Sequence, residues 1–229
     1  MRAFLDKLGV FPFAGARSHF FVAESLEQLR AAQPLYAILR ERMARIDIAV
    51  AARSAPRGSL SAQLPACHEV PLPWPIGPIA MRLLLRLNCK MLVFIGPPGP
   101  KDAALLRAAR KRMLPIVVLD PVLFDQNRET SALPDADLAA WGDKDRPMAE
   151  VEEFFLADEA LLPALARSSA AQDRITVMPP AAPGEDGLAA LADALRGYLT
   201  RDFKLLRGEA RPIRRRLEAA LLGAMDRPW

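Results

Sequence analysis

The sequence predicts a doubly wound α/β fold, a parallel Rossmann-like sheet with helices on both faces, and two observations predict it. From about residue 18 onward, short apolar runs alternate with longer segments of helical periodicity. Strands separated by helices pair in parallel through crossovers, which places helices on the sheet faces. The size agrees: 229 residues, 52% of them hydrophobic and 25% charged, suffice for a substantial core.

Taken in order, "SHFFVA" (18–23) reads as a buried strand. "SLEQLRAAQPLYAILRERMA" (25–44) reads as one amphipathic helix with Ser25 as its N-cap. "IDIAVAA" (46–52) is a second strand, and "CHEVPLP" (67–73) a weak third one bounded by prolines. A helix over 77–88, a strand over 91–96, a helix over 102–113 and a strand over 115–120 follow. A polar, acidic stretch occupies 125–147, and "EEFFLA" (152–157) and "RITVMP" (174–179) are two more strands flanking a helix. Residues 185–225 are helical in pattern. The expected division is an α/β domain over 1–184 and a helical extension over 185–229 packed on it.

Composition bounds the function classes. The net charge is only +4, so basic character is local; Arg214, Arg215 and Arg216 belong to an arginine-rich C-terminal part. Cys67 and Cys89 make no disulfide framework and show no metal-ligand spacing, and they read as buried thiols in a reducing compartment. His19 has no second histidine or cysteine nearby and His68 has only Cys67 beside it, too few ligands for a metal site, so no metal and no cofactor is expected. The N-terminus reads as no signal peptide, and no apolar run approaches 18 residues. A cytoplasmic location is the expectation.

In such sheets ligands gather at the carboxyl ends of the strands near the switch point. That directs attention to the segments 23–28, 53–60, 96–102, 120–127 and 179–185. The most phosphate-like of these is "MLVFIGPPGPKD", a strand running into a glycine-rich turn. Yet Gly96 and Gly99 are followed by Pro100, Lys101 and Asp102, not by the lysine and hydroxyl of a P-loop. Pro97, Pro98 and Pro100 also remove three of the N–H donors that a phosphate nest uses.

Read together, the segments over 17–183 resemble the N-terminal half of the 3-deoxy-D-manno-octulosonic acid (Kdo) transferases, which are GT-B glycosyltransferases. The family's S-V-G-E and alanine-rich helix correspond to "SLEQLRAAQPL" (25–35), and its L-P-L-D to "VPLP" (70–73). Its strand ending in E-T-E-L-W-P-N corresponds to "MLVFIGPPGPKD", its "LLRAARRRGIP" to "LLRAARKRMLP" (105–115), and its strand ending in N-A-R-L-S to "VVLDPVLF" (117–124). The resemblance implies a role in lipopolysaccharide or glycolipid synthesis, with a lipid A precursor-like acceptor. It implies acceptor binding around Gly96, Gly99, Lys101 and Asp120.

The departures are chemical. The family's glutamate base falls on Gln28, which cannot accept the proton; Glu27 or Glu24 stands in only if the loop is offset. The asparagine and arginine of N-A-R-L-S become Asp120 and Val122, and the family's lysine segment becomes "PPAAP" (179–183). The donor domain of a GT-B enzyme has no counterpart in this length, which implies a partner chain carrying it or an inactive protein.

Each candidate carries two readings. Glu24 and Glu27 serve either the helix N-terminus, where carboxylates are favoured, or acid/base chemistry. Asp120 and Asp125 serve either as turn caps or as ligand contacts. Arg82, Arg86 and Lys90 fall at i, i+4 and i+8 near Trp74, as either a solvated helix face or a stripe docking on an anionic membrane surface. Arg214, Arg215 and Arg216 admit the same two readings. Docking there makes the protein peripheral on the inner membrane. No nucleic-acid partner is expected, since aromatics are not interleaved with the charge.

Overall fold

The computed structural model describes residues 17–43, 46–56, 58–124, 135–143, 145–168, 174–178 and 185–198. Among them runs a seven-stranded sheet made of β1 (Arg17–Ala23), β2 (Ile46–Ala52), β3 (His68–Glu69), β4 (Cys89–Ile95), β5 (Ile116–Leu119), β6 (Glu153–Leu156) and β7 (Ile175–Val177). The order is β3-β2-β1-β4-β5-β6-β7 and every pairing is parallel. This is the doubly wound sheet the alternation predicts. The central strands are apolar on both faces because both are covered: from His19 to Ala23 and from Met91 to Ile95 every residue is buried.

Eight helices occur among the described residues: α1 (Leu26–Ala31), α2 (Gln33–Arg42), α3 (Ser59–Gln63), α4 (Gly77–Arg86), α5 (Ala103–Lys111), α6 (Asp135–Gly142), α7 (Leu162–Arg167) and α8 (Glu185–Gly197). One core layer joins Leu29, Leu35, Leu39, Leu60 and Leu195 to Phe21, Val50 and Val93, so α1, α2, α3 and α8 share a face of the sheet. The other joins Leu83, Leu84, Leu105 and Leu165 to Phe20, Leu92 and Phe94, so α4, α5 and α7 cover the opposite face. The covering helices change face where the chain crosses from β3 to β4. That makes the β1–β4 gap the switch point.

Three elements differ from the sequence expectation. The helix expected over 25–44 is two helices, broken at Ala32. Pro34 lacks the N–H for a continuous ladder and its ring crowds the preceding turn, so α2 restarts with proline in its first turn. The third strand shrinks to His68 and Glu69, since Pro71 and Pro73 cannot donate to a ladder. The polar, acidic stretch 125–147, for which no element was expected, contains α6, whose Trp141 is buried in the core.

α8 packs on α2 through Leu191, Ala192 and Leu195, reinforced by an Arg42–Asp193 ion pair. At its end Tyr198 Oη donates to Glu153 Oε2 at 3.0 Å, and Thr176 Oγ1 donates to Glu153 Oε1 at 2.7 Å. The helical pattern expected over 199–225, with Arg214, Arg215 and Arg216, lies outside the described residues, as does Asp125.

Candidate functional site

The carboxyl ends of β1, β2 and β4 meet at the switch point, and side chains from three separate segments close over them. β1 passes into α1 through Glu24 and Ser25. Gln28 N donates to Ser25 Oγ at 3.3 Å, while Gln28 Oε1 accepts from Glu24 N at 3.0 Å and Ser25 N at 3.5 Å. This is a reciprocal capping box with glutamine at its third position. The Gln28 amide oxygen is therefore engaged in holding the helix start.

Glu24 is exposed and its backbone carbonyl is held by Ser54, whose N and Oγ donate to it at 3.0 and 2.6 Å. Arg53, the first residue beyond β2, reaches across. Its Nη1 lies 3.1 Å from Glu24 Oε2, and its Nη2 is ion-paired with Asp102 Oδ2. The same Asp102 oxygen accepts from Gly99 N at 2.7 Å, which closes the 3-10 turn Pro100–Asp102. The guanidinium also stands 5.9 Å from the Phe94 ring centroid. One arginine thus links the β1, β2 and β4 ends.

The glycine-proline segment is set by two further contacts. Gly96 adopts φ +87, a left-handed conformation open to glycine at little cost, and a Cβ there stands 3.6 Å from Pro121 Cγ. Arg146 Nη1 donates to the carbonyls of Pro97 at 3.1 Å and Pro98 at 3.4 Å. With proline nitrogens at 97, 98 and 100, this loop offers carbonyls, and an arginine takes them. Lys101 is exposed at its rim.

Asp120 is 1% exposed and belongs to the framework of the neighbouring loop. Its Oδ1 accepts from Val122 N at 3.0 Å and its Oδ2 from Ala157 N at 3.1 Å, tying the β5 end to the β6 end. Glu27 is exposed on the first turn of α1. Its carboxylate is held below the ordinary glutamate range by its own backbone N–H, then by the Ser25 hydroxyl, with Arg30 adding to both. That favours the charged form and weakens it as a proton acceptor.

The structure therefore brings Glu24, Gly96, Gly99 and Lys101 to one crevice, with Glu27 beside it. The stripe of Arg82, Arg86 and Lys90 is interrupted. α4 ends at Arg86 and turns at Asn88 (φ 44), so Lys90 is a β4 residue. His19 is fully buried in β1 with neither ring nitrogen hydrogen-bonded, and burial lowers its pKa to about 4. Among the described residues no group of three or more His, Cys, Asp or Glu is placed to hold a metal ion.

Sequence reasoning missed Arg53 and Arg146. For Arg53 the one available signal is a lone cation directly after an apolar strand that ends at the switch point. Arg146 has no local signal, because its carbonyl partners lie 48 and 49 residues away.

No protein-family model matches this chain, and no curated protein matches it. Among solved structures, the crystal structure of Medicago truncatula UGT71G1 complexed with UDP-glucose matches with a TM-score of 0.36 and 12% identity, over 72% of this chain and 52% of that one. The chain spans about half the length of that structure. A likeness of this extent leaves the function to the residues of the crevice.

Proposed function

We propose that this protein binds the lipid-linked acceptor of a glycosyltransferase-type reaction at the β1–β4 crevice, without supplying the catalytic base. The Gln28 capping box carries the reading. The residue that falls where the Kdo transferases place their glutamate base is an amide whose oxygen is spent on two backbone donors. The neighbouring carboxylates do not replace it well, since Glu24 is ion-paired with Arg53 and the lowered pKa of Glu27 makes it a weaker proton acceptor. What remains suits a saccharide: the exposed Glu24 with its partner Arg53, and Lys101 at the rim of the Gly96–Gly99 turn, groups that hydrogen-bond hydroxyls. On this reading the acceptor is a lipid A precursor-like glycolipid of lipopolysaccharide synthesis, met at the cytoplasmic side of the inner membrane. Sugar transfer depends on a partner chain carrying a donor-binding domain, or does not occur.

The test is to titrate the purified chain with a lipid A precursor, then add CMP-Kdo. Saturable binding that Glu24→Ala weakens, with no product, is the expected result. Turnover abolished by Glu27→Ala establishes an enzyme instead, and no saturable binding removes the acceptor reading altogether.

A further inference from the structure

We infer that the outer face of the α4–α5 layer docks on a bilayer rich in anionic phospholipid. Two asymmetries coincide there. The first is charge. From Gly77 to Met113 the chain carries eight lysines and arginines against one carboxylate, Asp102, which is buried and paired with Arg53. The whole chain sums to +4, so the remaining residues sum to −3 and this segment is the cationic one. The second is apolar exposure. The exposed large hydrophobics among the described residues are Trp74, Ile76, Leu85 and Met113, at 37%, 48%, 58% and 50%. All four lie on this layer or at the ends of its helices.

The fold brings the two together. α4 and α5 pack side by side on one face of the sheet, with Leu83, Leu84, Leu105 and Leu106 turned into the core. Arg82, Arg107 and Lys111 are left exposed, with Leu85 and Met113 among them. Neither helix carries an acidic residue. An anionic bilayer takes both halves of this pattern: headgroup phosphates meet the cations while aliphatic side chains enter the interface. A nucleic acid takes the cations and, of the four apolar side chains, only Trp74, since Ile76, Leu85 and Met113 offer no aromatic plane for a base. Because α4 starts on the carboxyl-end side of the sheet, a layer lying on the surface keeps the β1–β4 crevice beside the headgroups. The inference rests on charge and exposure, not on what the crevice binds.

Vesicle co-sedimentation of the full chain tests it, using phosphatidylcholine with and without phosphatidylglycerol. Binding to the anionic vesicles alone, lost in high salt, is expected. Each cation at such a surface contributes about fivefold in partitioning, so Arg82→Glu with Lys111→Glu should weaken binding at least about 25-fold. Arg196→Glu, on α8 across the sheet, should stay within about threefold. Leu85→Ser with Met113→Ser should weaken binding without changing its salt dependence. The inference is overturned if the Arg82/Lys111 variant binds like the parent. It is equally overturned if only Arg214→Glu, Arg215→Glu and Arg216→Glu abolish binding, or if the chain binds duplex DNA and not vesicles.

Discussion

At the scale of single residues, His19 shows how an unfavourable placement becomes a measurable property. Its imidazole is inside the sheet with no hydrogen-bond partner among the described residues, and burial lowers its pKa from 6.5 to about 4. The unfolded chain therefore binds a proton in the window from 6.5 down to about 4 that the folded chain refuses. Stability is full above that window and is lost as the pH falls through it. Between pH 7 and pH 5 the loss from this one group is about 2 kcal/mol. Urea midpoints of the parent and of His19→Leu at the two pH values check it, because the titrations of other groups cancel in the difference. The parent should lose the extra stability and the variant should not. Gly96 makes the complementary case. With φ +87 and a Cβ position in ordinary contact with Pro121, Gly96→Ala should cost about 1–2 kcal/mol through backbone strain alone.

At the scale of elements, the start of α1 shows what was legible and what was not. Ser25 as N-cap follows from a hydroxyl placed before an apolar-periodic run, and the capping box confirms it. The break at Ala32 was equally present in the sequence, as Pro34, but the periodicity on either side of it obscured the restart. Conversely, the run over 67–73 has the composition of a strand, yet its prolines confine the strand to His68 and Glu69, with Val70 N still donating to Val50 O at 2.8 Å. The role of Gln28 was not legible, because an amide at the third helical position does not announce whether it faces solvent or its own backbone. Ser25→Ala should cost about 1 kcal/mol by thermal unfolding. Gln28→Glu, which retains the acceptor oxygen of the box, should change stability by less than about 0.5 kcal/mol. A larger loss on Gln28→Glu means that its amide donor holds the Gly96 segment, 4.0 Å from where a Cβ would stand there.

At the scale of the molecule, the parallel, doubly wound sheet was readable from element alternation, because parallel strands joined by helices have few ways to wind. The crevice was readable only as a location. Its central contact joins Arg53 to Asp102, 49 residues apart in sequence, and pairing over that distance depends on which strands become neighbours. Arg53 therefore serves the fold and the proposed site at once, and the two contributions can be separated. Its side chain is 18% exposed and that of Asp102 is 6%, so removing the cation strands a carboxylate out of water. Arg53→Met should cost about 3 kcal/mol. Replacing the carboxylate as well, in Arg53→Met/Asp102→Asn, removes the stranded charge and should recover most of that loss, because the introduced amide oxygen can still accept from Gly99 N. Acceptor binding should behave differently, since the double variant still lacks the guanidinium that bridges the β1 and β4 ends. Chemical denaturation beside glycolipid titration on the same three proteins makes the comparison. If the double variant regains binding along with stability, Arg53 is a strut of the switch point and the acceptor is held by Glu24 and the Gly96–Lys101 turn without it.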